Sequence, residues 1–336
     1  MKFGLLFRPQ DPPAGRNIVQ RWEETLAAAE IAEAVGFDGV FVPEHHGWVD
    51  GYLPQPLVAL AAIAARTERV DVGTTVTWLP VRHPVHVAEE AAVVDVISNG
   101  RLRMGVGMGS AEDEYKFFGL DTQHRVSKFV EAVDLIERAW RGEELDHSGH
   151  YRASGRISPL PVNAQMWLGA MFEPGIRRAA RLGYPWMTDP LRDIFMELEM
   201  VEWYRSEREN SRNPENLGII LLRDGWIAET RADVERDWWP VAQAEFWSYF
   251  SAVPSLSRMG ESFDDPSSFT FDSHRPNRLI AGSPADCREA VEQCVAEIDP
   301  DYLIISMRLA GGPGFDREAE ALRLFGAEVI APYKER

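Results

Sequence analysis

The stretch "FVPEHHGW" at residues 41–48 sets a carboxylate, Glu44, beside two imidazoles, His45 and His46, straight after the apolar run "FDGVFV". Imidazole is the side chain that moves protons near neutral pH, and a neighbouring carboxylate can orient it. A metal site is the first alternative. Adjacent residues of a strand point to opposite faces, so His45 and His46 cannot both ligate one ion without distortion. No HExxH, CxxC or Asp-rich loop accompanies them. His83 and His86, three residues apart at a helix start, suit capping better than ligation. "GMGSAED" (107–113) lacks the Lys-Ser/Thr of a P-loop, and no G-x-S-x-G elbow occurs. Proton transfer is therefore the chemistry these residues can do alone, and oxidation or reduction would need a cofactor.

These groups must be positioned by the elements around them. Apolar strands at 2–7, 38–44, 70–80 and 102–109 alternate with helical patterns at 18–36, 56–67, 84–98 and 125–142. Later strands are read at 165–170, 185–188, 218–228 and 301–308, with helices at 174–182, 191–209, 231–249, 284–298 and 316–328. Strict βα alternation with near-continuously apolar strands means a parallel sheet covered by helices. Eight such strands predict an α/β fold, a closed (β/α)8 TIM barrel forming one domain over 1–336, with an insertion before the last strand. An open doubly wound sheet is the alternative, but its glycine-rich first turn is missing from "RPQDPPAGRN". Residues 250–278, rich in Ser, Pro and Asp and carrying several phenylalanines, read as a mobile lid or as a plain insertion loop.

In such a barrel, polar residues at the C-terminal strand ends face the active site. Glu44, His45 and His46 close the second strand, and Thr75, Thr77 and Trp78 end the third. Gly105, Gly107 and Gly109 alternate along the fourth, stripping one face of side chains. That would let a flat ligand approach the backbone, or would serve barrel packing.

The totals limit the function classes. The 336 residues carry 35 basic and 53 acidic side chains, a net charge of -18, which disfavours a nucleic-acid partner. Hydrophobic residues make up 45%, enough for a large core. Cys287 and Cys294, seven apart on one predicted helix, would be separated by about 10.5 Å along its axis, beyond the roughly 7 Å limit of a disulfide. Reduced thiols suit the cytoplasm. No apolar run approaches a membrane span or a signal peptide.

Several stretches together resemble the bacterial luciferase-like monooxygenases: "AEIAEAVGFDGVFVPEHH" (29–46), the long run from "ALAAIAARTERV" to "GVGMGS" (59–110), "EYKFFGLD" (114–121), "LIERAWRGEELDHSGHYR" (135–152) and "AGSPADCREAV" (281–291). The resemblance covers the first half closely and the second half loosely. It implies reduced FMN across the C-terminal mouth of the barrel, supplied by a separate NAD(P)H-dependent flavin reductase, with oxygen activated for attack on a small molecule. His45 matches the family's histidine beside the reactive flavin edge and is assigned general acid/base catalysis, with Glu44 and His46 orienting it or supporting the strand end. A non-proline cis peptide is implied at Thr75–Val76. His83 matches a structural histidine. The flavin is expected against Glu44, Thr75, Val76, Gly107, Met108, Gly169, Ala170, Gly175, Ile176 and Arg177. Trp48 and Trp78, with Tyr52, would meet an apolar or aromatic substrate.

One departure stands out. Where luciferase has an arginine for the FMN phosphate, this chain has Met108, and its phosphate-binding hydroxyls align with Phe172 and Gly175. The replacement anchors would be the helix start after "GAMFEPG" and Arg177 or Arg178. A deazaflavin-dependent oxidoreductase and a non-catalytic flavin-binding barrel are the competing readings. No basic cluster at the fourth and fifth strand ends awaits the polyanionic tail of a deazaflavin. A homodimer through the alanine-rich helices at "ALAAIAA" and "AEEAAVV" completes the expectation.

Overall fold

The computed structural model describes residues 1–10, 17–109, 112–252, 265, 267 and 269–335. In chain order the elements are β1 (Lys2–Leu6), α1 (Ile18–Ala34), β2 (Gly39–Val42), α2 (Pro56–Ala64), β3 (Asp71–Trp78), α3 (Pro84–Ile97), β4 (Leu102–Gly107), α4 (Glu112–Phe117) and α5 (Arg125–Trp140). A hairpin, β5 (Leu145–Ser148) and β6 (Arg152–Gly155), leads to β7 (Gln165–Gly169), α6 (Glu173–Leu182), β8 (Trp186–Met187), α7 (Ile194–Arg205) and β9 (Ile219–Ile227). The chain ends with α8 (Arg231–Asp237), α9 (Trp239–Ala252), α10 (Phe271–His274), β10 (Ile280–Gly282), α11 (Pro284–Ile298), β11 (Tyr302–Ser306), α12 (Phe315–Phe325) and α13 (Ala331–Lys334).

Eight parallel strands close on themselves in the order β1, β2, β3, β4, β7, β8, β9, β11, because β8 pairs with β9 and β11 with β1. This is the (β/α)8 barrel expected from the alternation. β10 adds to the far end of β9, and α11 follows it, so the insertion before the last strand extends the sheet. The antiparallel hairpin β5–β6 and the short helix α4 were not anticipated.

Two apolar layers hold the barrel. Outside, helix faces pack on the outward residues of the strands. Inside, Leu6, Phe41, Trp167, Met187, Ile220, Leu222, Tyr302 and Ile304 fill the lumen. The aromatic members fit because Gly4, Gly39 and Gly73 leave room at that level. A Cβ on Gly4 would lie 2.7 Å from the Phe41 ring. Phe41 stacks on Trp167 at 5.7 Å and meets Tyr302 edge-on at 5.4 Å, arrangements favoured by the ring quadrupoles.

Local signals start the helices. Asn17 caps α1 and Asp193 caps α7. Ser283 and Asp286 form a reciprocal capping box at α11. His83 caps α3: its Nδ1 accepts the Val85 N–H at 3.3 Å, so its Nε2 carries the proton and donates to the Arg152 carbonyl at 3.2 Å. The structural role read for His83 is the one observed.

Of the expected lid over 250–278, residues 253–264, 266 and 268 lie outside the described ones. Phe269 and Phe271 are buried in the main core, where Phe269 stacks on Trp239. Cys287 and Cys294 are buried free thiols, and burial pushes both thiols up from their ordinary pKa. Among the described residues no helix is long and apolar enough to cross a membrane.

Candidate active site

The loop after β2 carries Glu44, His45 and His46 over the barrel rim, and their side chains take different partners. His45 Nδ1 lies 2.9 Å from Glu114 Oε1 on α4. The same carboxylate accepts the His46 N–H at 2.7 Å and the Trp48 indole N–H at 3.2 Å. Burial alone would raise the Glu114 pKa, but the hydrogen bonds from His45, His46 and Trp48 outweigh it and hold the carboxyl below its ordinary range. An ionised carboxylate only accepts, so the proton of neutral His45 sits on Nδ1 and Nε2 keeps its lone pair. The ring retains 25% of its side-chain surface and stacks on Tyr52 at 4.2 Å. His45 is thus an oriented imidazole with a basic nitrogen at the edge of the barrel mouth.

Of the two roles expected of Glu44, orienting His45 or supporting the strand end, the contacts fit the second. Its buried carboxylate binds His46 Nε2 at 2.8 Å, the Trp78 N–H at 3.2 Å and Arg82 at 3.2 Å. Only 1% of Glu44 is exposed, so it ties the ends of β2 and β3 together and has no face for a ligand. Glu114 was missed. The signal in the sequence is an acidic residue opening the family-like stretch "EYKFFGLD".

β3 shifts its pairing with β4 between Thr74 and Thr77, and the Thr75–Val76 peptide is cis, as the resemblance implied. Thr75 and Val76 are half-buried at the mouth. The Val76 side chain covers two of the glycines: a Cβ on Gly107 would lie 2.5 Å from Val76 Cγ2, and one on Gly169 2.7 Å from Val76 Cγ1. Gly109, at φ +71, lies against the Trp78 ring, and Gly105 lies against the Thr74 carbonyl. Of the two readings of these glycines, the contacts favour barrel packing. The glycines admit the chain's own Val76 and Trp78; Gly105 and Gly107 are buried, and Gly109 and Gly169 stay half-buried at the mouth. Gly107→Ala should accordingly destabilise the fold by about 1–3 kcal/mol through overpacking. Thermal unfolding tests this, and Val76→Ala in the same chain should recover part of the loss. An unchanged melting temperature in Gly107→Ala would refute the packing role.

Around Val76 runs a shelf of half-buried residues on four consecutive barrel strands: His45 after β2, Thr75 and Val76 on β3, Met108 and Gly109 after β4, and Gly169, Ala170 and Met171 at β7. Thr75 Oγ1 is enclosed there without a hydrogen-bond partner. A flat, partly polar ring system fits this shelf and would give that hydroxyl an acceptor. Met108 offers no charge, and its carbonyl accepts the Tyr115 hydroxyl.

The phosphate end is different. Arg177 is committed elsewhere, binding Glu173 at 2.8 Å and Glu207 at 3.1 Å on the outer side of α6. Ile176 is fully buried in the core and Gly175 packs on Ala170. The Gly175 and Ile176 N–H groups both bond to the Phe172 carbonyl, and Pro174 has none to offer. Of the expected anchors, Arg177 and the Gly175 and Ile176 N–H groups are thus committed, whereas Arg178 is partly buried with its pKa lowered by burial and by neighbouring Arg181. Arg192, whose guanidinium lies 5.7 Å from the Phe172 ring centre, is a further cation near this helix start, and it is paired with Asp189. Trp78 is 3% exposed and walls the site from behind, whereas Trp48 is half exposed.

The luciferase-like monooxygenase family profile matches residues 1–299. The chain belongs to the luciferase-like monooxygenase family. The oxygenase component of a flavin-dependent trigonelline monooxygenase from Acinetobacter baylyi is 25% identical, covering 100% of this chain and 96% of that protein. The crystal structure of the monooxygenase RslO1 from Streptomyces bottropensis superposes with a TM-score of 0.84 at 26% identity, covering 99% of this chain and 100% of that one. An F420-dependent glucose-6-phosphate dehydrogenase from Microbacterium testaceum is 33% identical over 93% of this chain and 94% of its own. This luciferase-like enzyme thus has relatives named as flavin-dependent and relatives named as F420-dependent.

Proposed function

We propose that this luciferase-like enzyme is the oxygenase component of a two-component system. It takes reduced FMN from a separate NAD(P)H-dependent reductase in the cytoplasm and oxygenates a small molecule. The observation that carries the reading is the half-buried shelf around Val76 with His45 at its rim. Reduced FMN bound there supplies the electrons that activate oxygen. The chain's own part is to hold the ring over Thr75 and Val76, to place His45 Nε2 at its edge as proton acceptor and donor, and to fix that imidazole through Glu114.

Charge favours FMN over a deazaflavin with a longer anionic tail. Of the arginines at the β7–β8 side, Arg177 and Arg192 are already paired with carboxylates, which leaves Arg178 of α6 as a single cation for a short phosphate. Anaerobic titration with reduced FMN and with reduced F420 decides the matter. Saturable binding of FMN, followed by oxygen uptake when a flavin reductase is coupled, is the expected result. Binding of F420 alone would transfer the protein to the deazaflavin class. Binding of neither would leave a non-catalytic barrel.

A homodimer belongs to the same reading. Val58 on α2 and Val93, Val96 and Ile97 on the neighbouring α3 are exposed, an apolar patch suited to a second copy. Val58→Lys combined with Val96→Lys should convert the dimer to monomer in sedimentation runs, and a monomeric wild type would rule the dimer out.

A further inference from the structure

Helix α4 buries two neighbouring side chains, Glu114 and Tyr115, and exposes the rest. Glu114 is 5% and Tyr115 1% exposed. Successive residues of a helix point about 100° apart, so the two reach different walls of the mouth. Glu114 takes the loop after β2. Tyr115 takes the end of β4, where its hydroxyl donates to the Met108 carbonyl. Phe118, just past the helix, meets the His46 ring edge-on at 4.7 Å. β2 and β4 flank β3 in the barrel. α4 therefore ties together the two sides of the shelf, with Thr75 and Val76 between them.

A carbonyl only accepts, so Tyr115 is the donor. Burial, which pushes its pKa up to about 12, keeps that proton in place at neutral pH. The Met108–Gly109 peptide is trans, and in a trans peptide the C=O and the following N–H point opposite ways. With its carbonyl held by Tyr115, this peptide turns the Gly109 N–H away from α4. That N–H has no acceptor among the described residues. Gly109 is half-buried at the mouth. Backbone N–H groups in folded proteins are nearly always paired, with protein or with water, so this one is a donor open to a ligand on the shelf.

We propose that Tyr115 is a positioning residue for the cofactor, aiming the Gly109 N–H at an oxygen acceptor of the bound flavin. Reduced FMN has such oxygens on its ring and on its phosphate, and negative charge on the acceptor strengthens a hydrogen bond from an N–H. The inference rests on reading the mouth as a flavin site. It adds that two consecutive residues of α4 serve the two sides of β3: Glu114 fixes the base and Tyr115 fixes a backbone donor.

NMR of the full chain with isotope-labelled glycine amides tests this. On anaerobic addition of reduced FMN the Gly109 amide should move downfield and exchange more slowly. In Tyr115→Phe, which keeps the ring beside Trp78, it should do neither. Reduced FMN affinity should fall by about three- to tenfold in that variant, the size of one net hydrogen bond. Reduced riboflavin locates the acceptor: an equal loss with riboflavin places it on the ring, a loss confined to FMN places it on the phosphate, and both uphold the proposal. A merely structural Tyr115 would lower the melting temperature of the variant and leave the amide response and the affinity intact, which would overturn the proposal. So would a Gly109 amide that does not respond in wild type saturated with FMN. If Tyr115→Phe does not fold, that wild-type response still decides. Wild type that binds no flavin would overturn the cofactor reading and this inference with it, whereas tight binding without the amide response overturns this inference alone.

Discussion

Asparagine in place of His45 will lower substrate-coupled oxygen uptake by about 10²–10⁴-fold, the usual contribution of a positioned acid or base, while reduced FMN binds nearly as before. Asparagine keeps a short amide donor for Glu114 and so preserves the loop after β2, but places nothing where Nε2 stood. The ring is the one member of Glu44, His45 and His46 with substantial exposure at the mouth. Glu44 and His46 are buried and bonded to each other. Steady-state uptake and an anaerobic FMN titration on the same preparation separate chemistry from binding. Unchanged uptake would remove His45 from the reaction. A large loss of FMN affinity would make it a binding residue.

The second large effect is expected at Glu114. Removing its carboxylate with Glu114→Ala leaves the His45 Nδ1–H, the His46 N–H and the Trp48 indole without their acceptor. Unsatisfied donors of this kind cost about 1–3 kcal/mol in stability, and His45 loses its fixed tautomer, so activity should fall with it. The pH dependence has a definite sign. The folded pKa of Glu114 lies below its ordinary value. Its ionised form therefore adds stability above the unfolded carboxylate value of about 4.3, and this is lost as pH falls through the folded value. Denaturant midpoints of wild type and Glu114→Gln should thus differ most near neutral pH and converge in acid. A gap that stays constant across that range would show that charge on Glu114 is not what holds the loop.

Much of this protein is legible in one dimension because its determinants are local. Apolar runs alternating with helical periods announce eight strands and a barrel. The ionisable end of an apolar strand announces Glu44 to His46, and the order of motifs announces the family and the Thr75–Val76 bond. The partners of those residues are another matter. Glu114 lies 69 residues from His45 and Asp224 lies 216 from Arg8, and no spacing rule joins positions so far apart. The glycines of β4 have a visible period, but only packing reveals that Val76 and Trp78 occupy the space they leave. Arg177 is a cation at the right place in the chain, and the rotation of α6 turns it to Glu207. Residue type and local period set the strands, the helices and the chemistry on offer. Barrel closure, which brings distant strand ends within hydrogen-bond reach, decided which carboxylate serves which base and which arginine serves which acid.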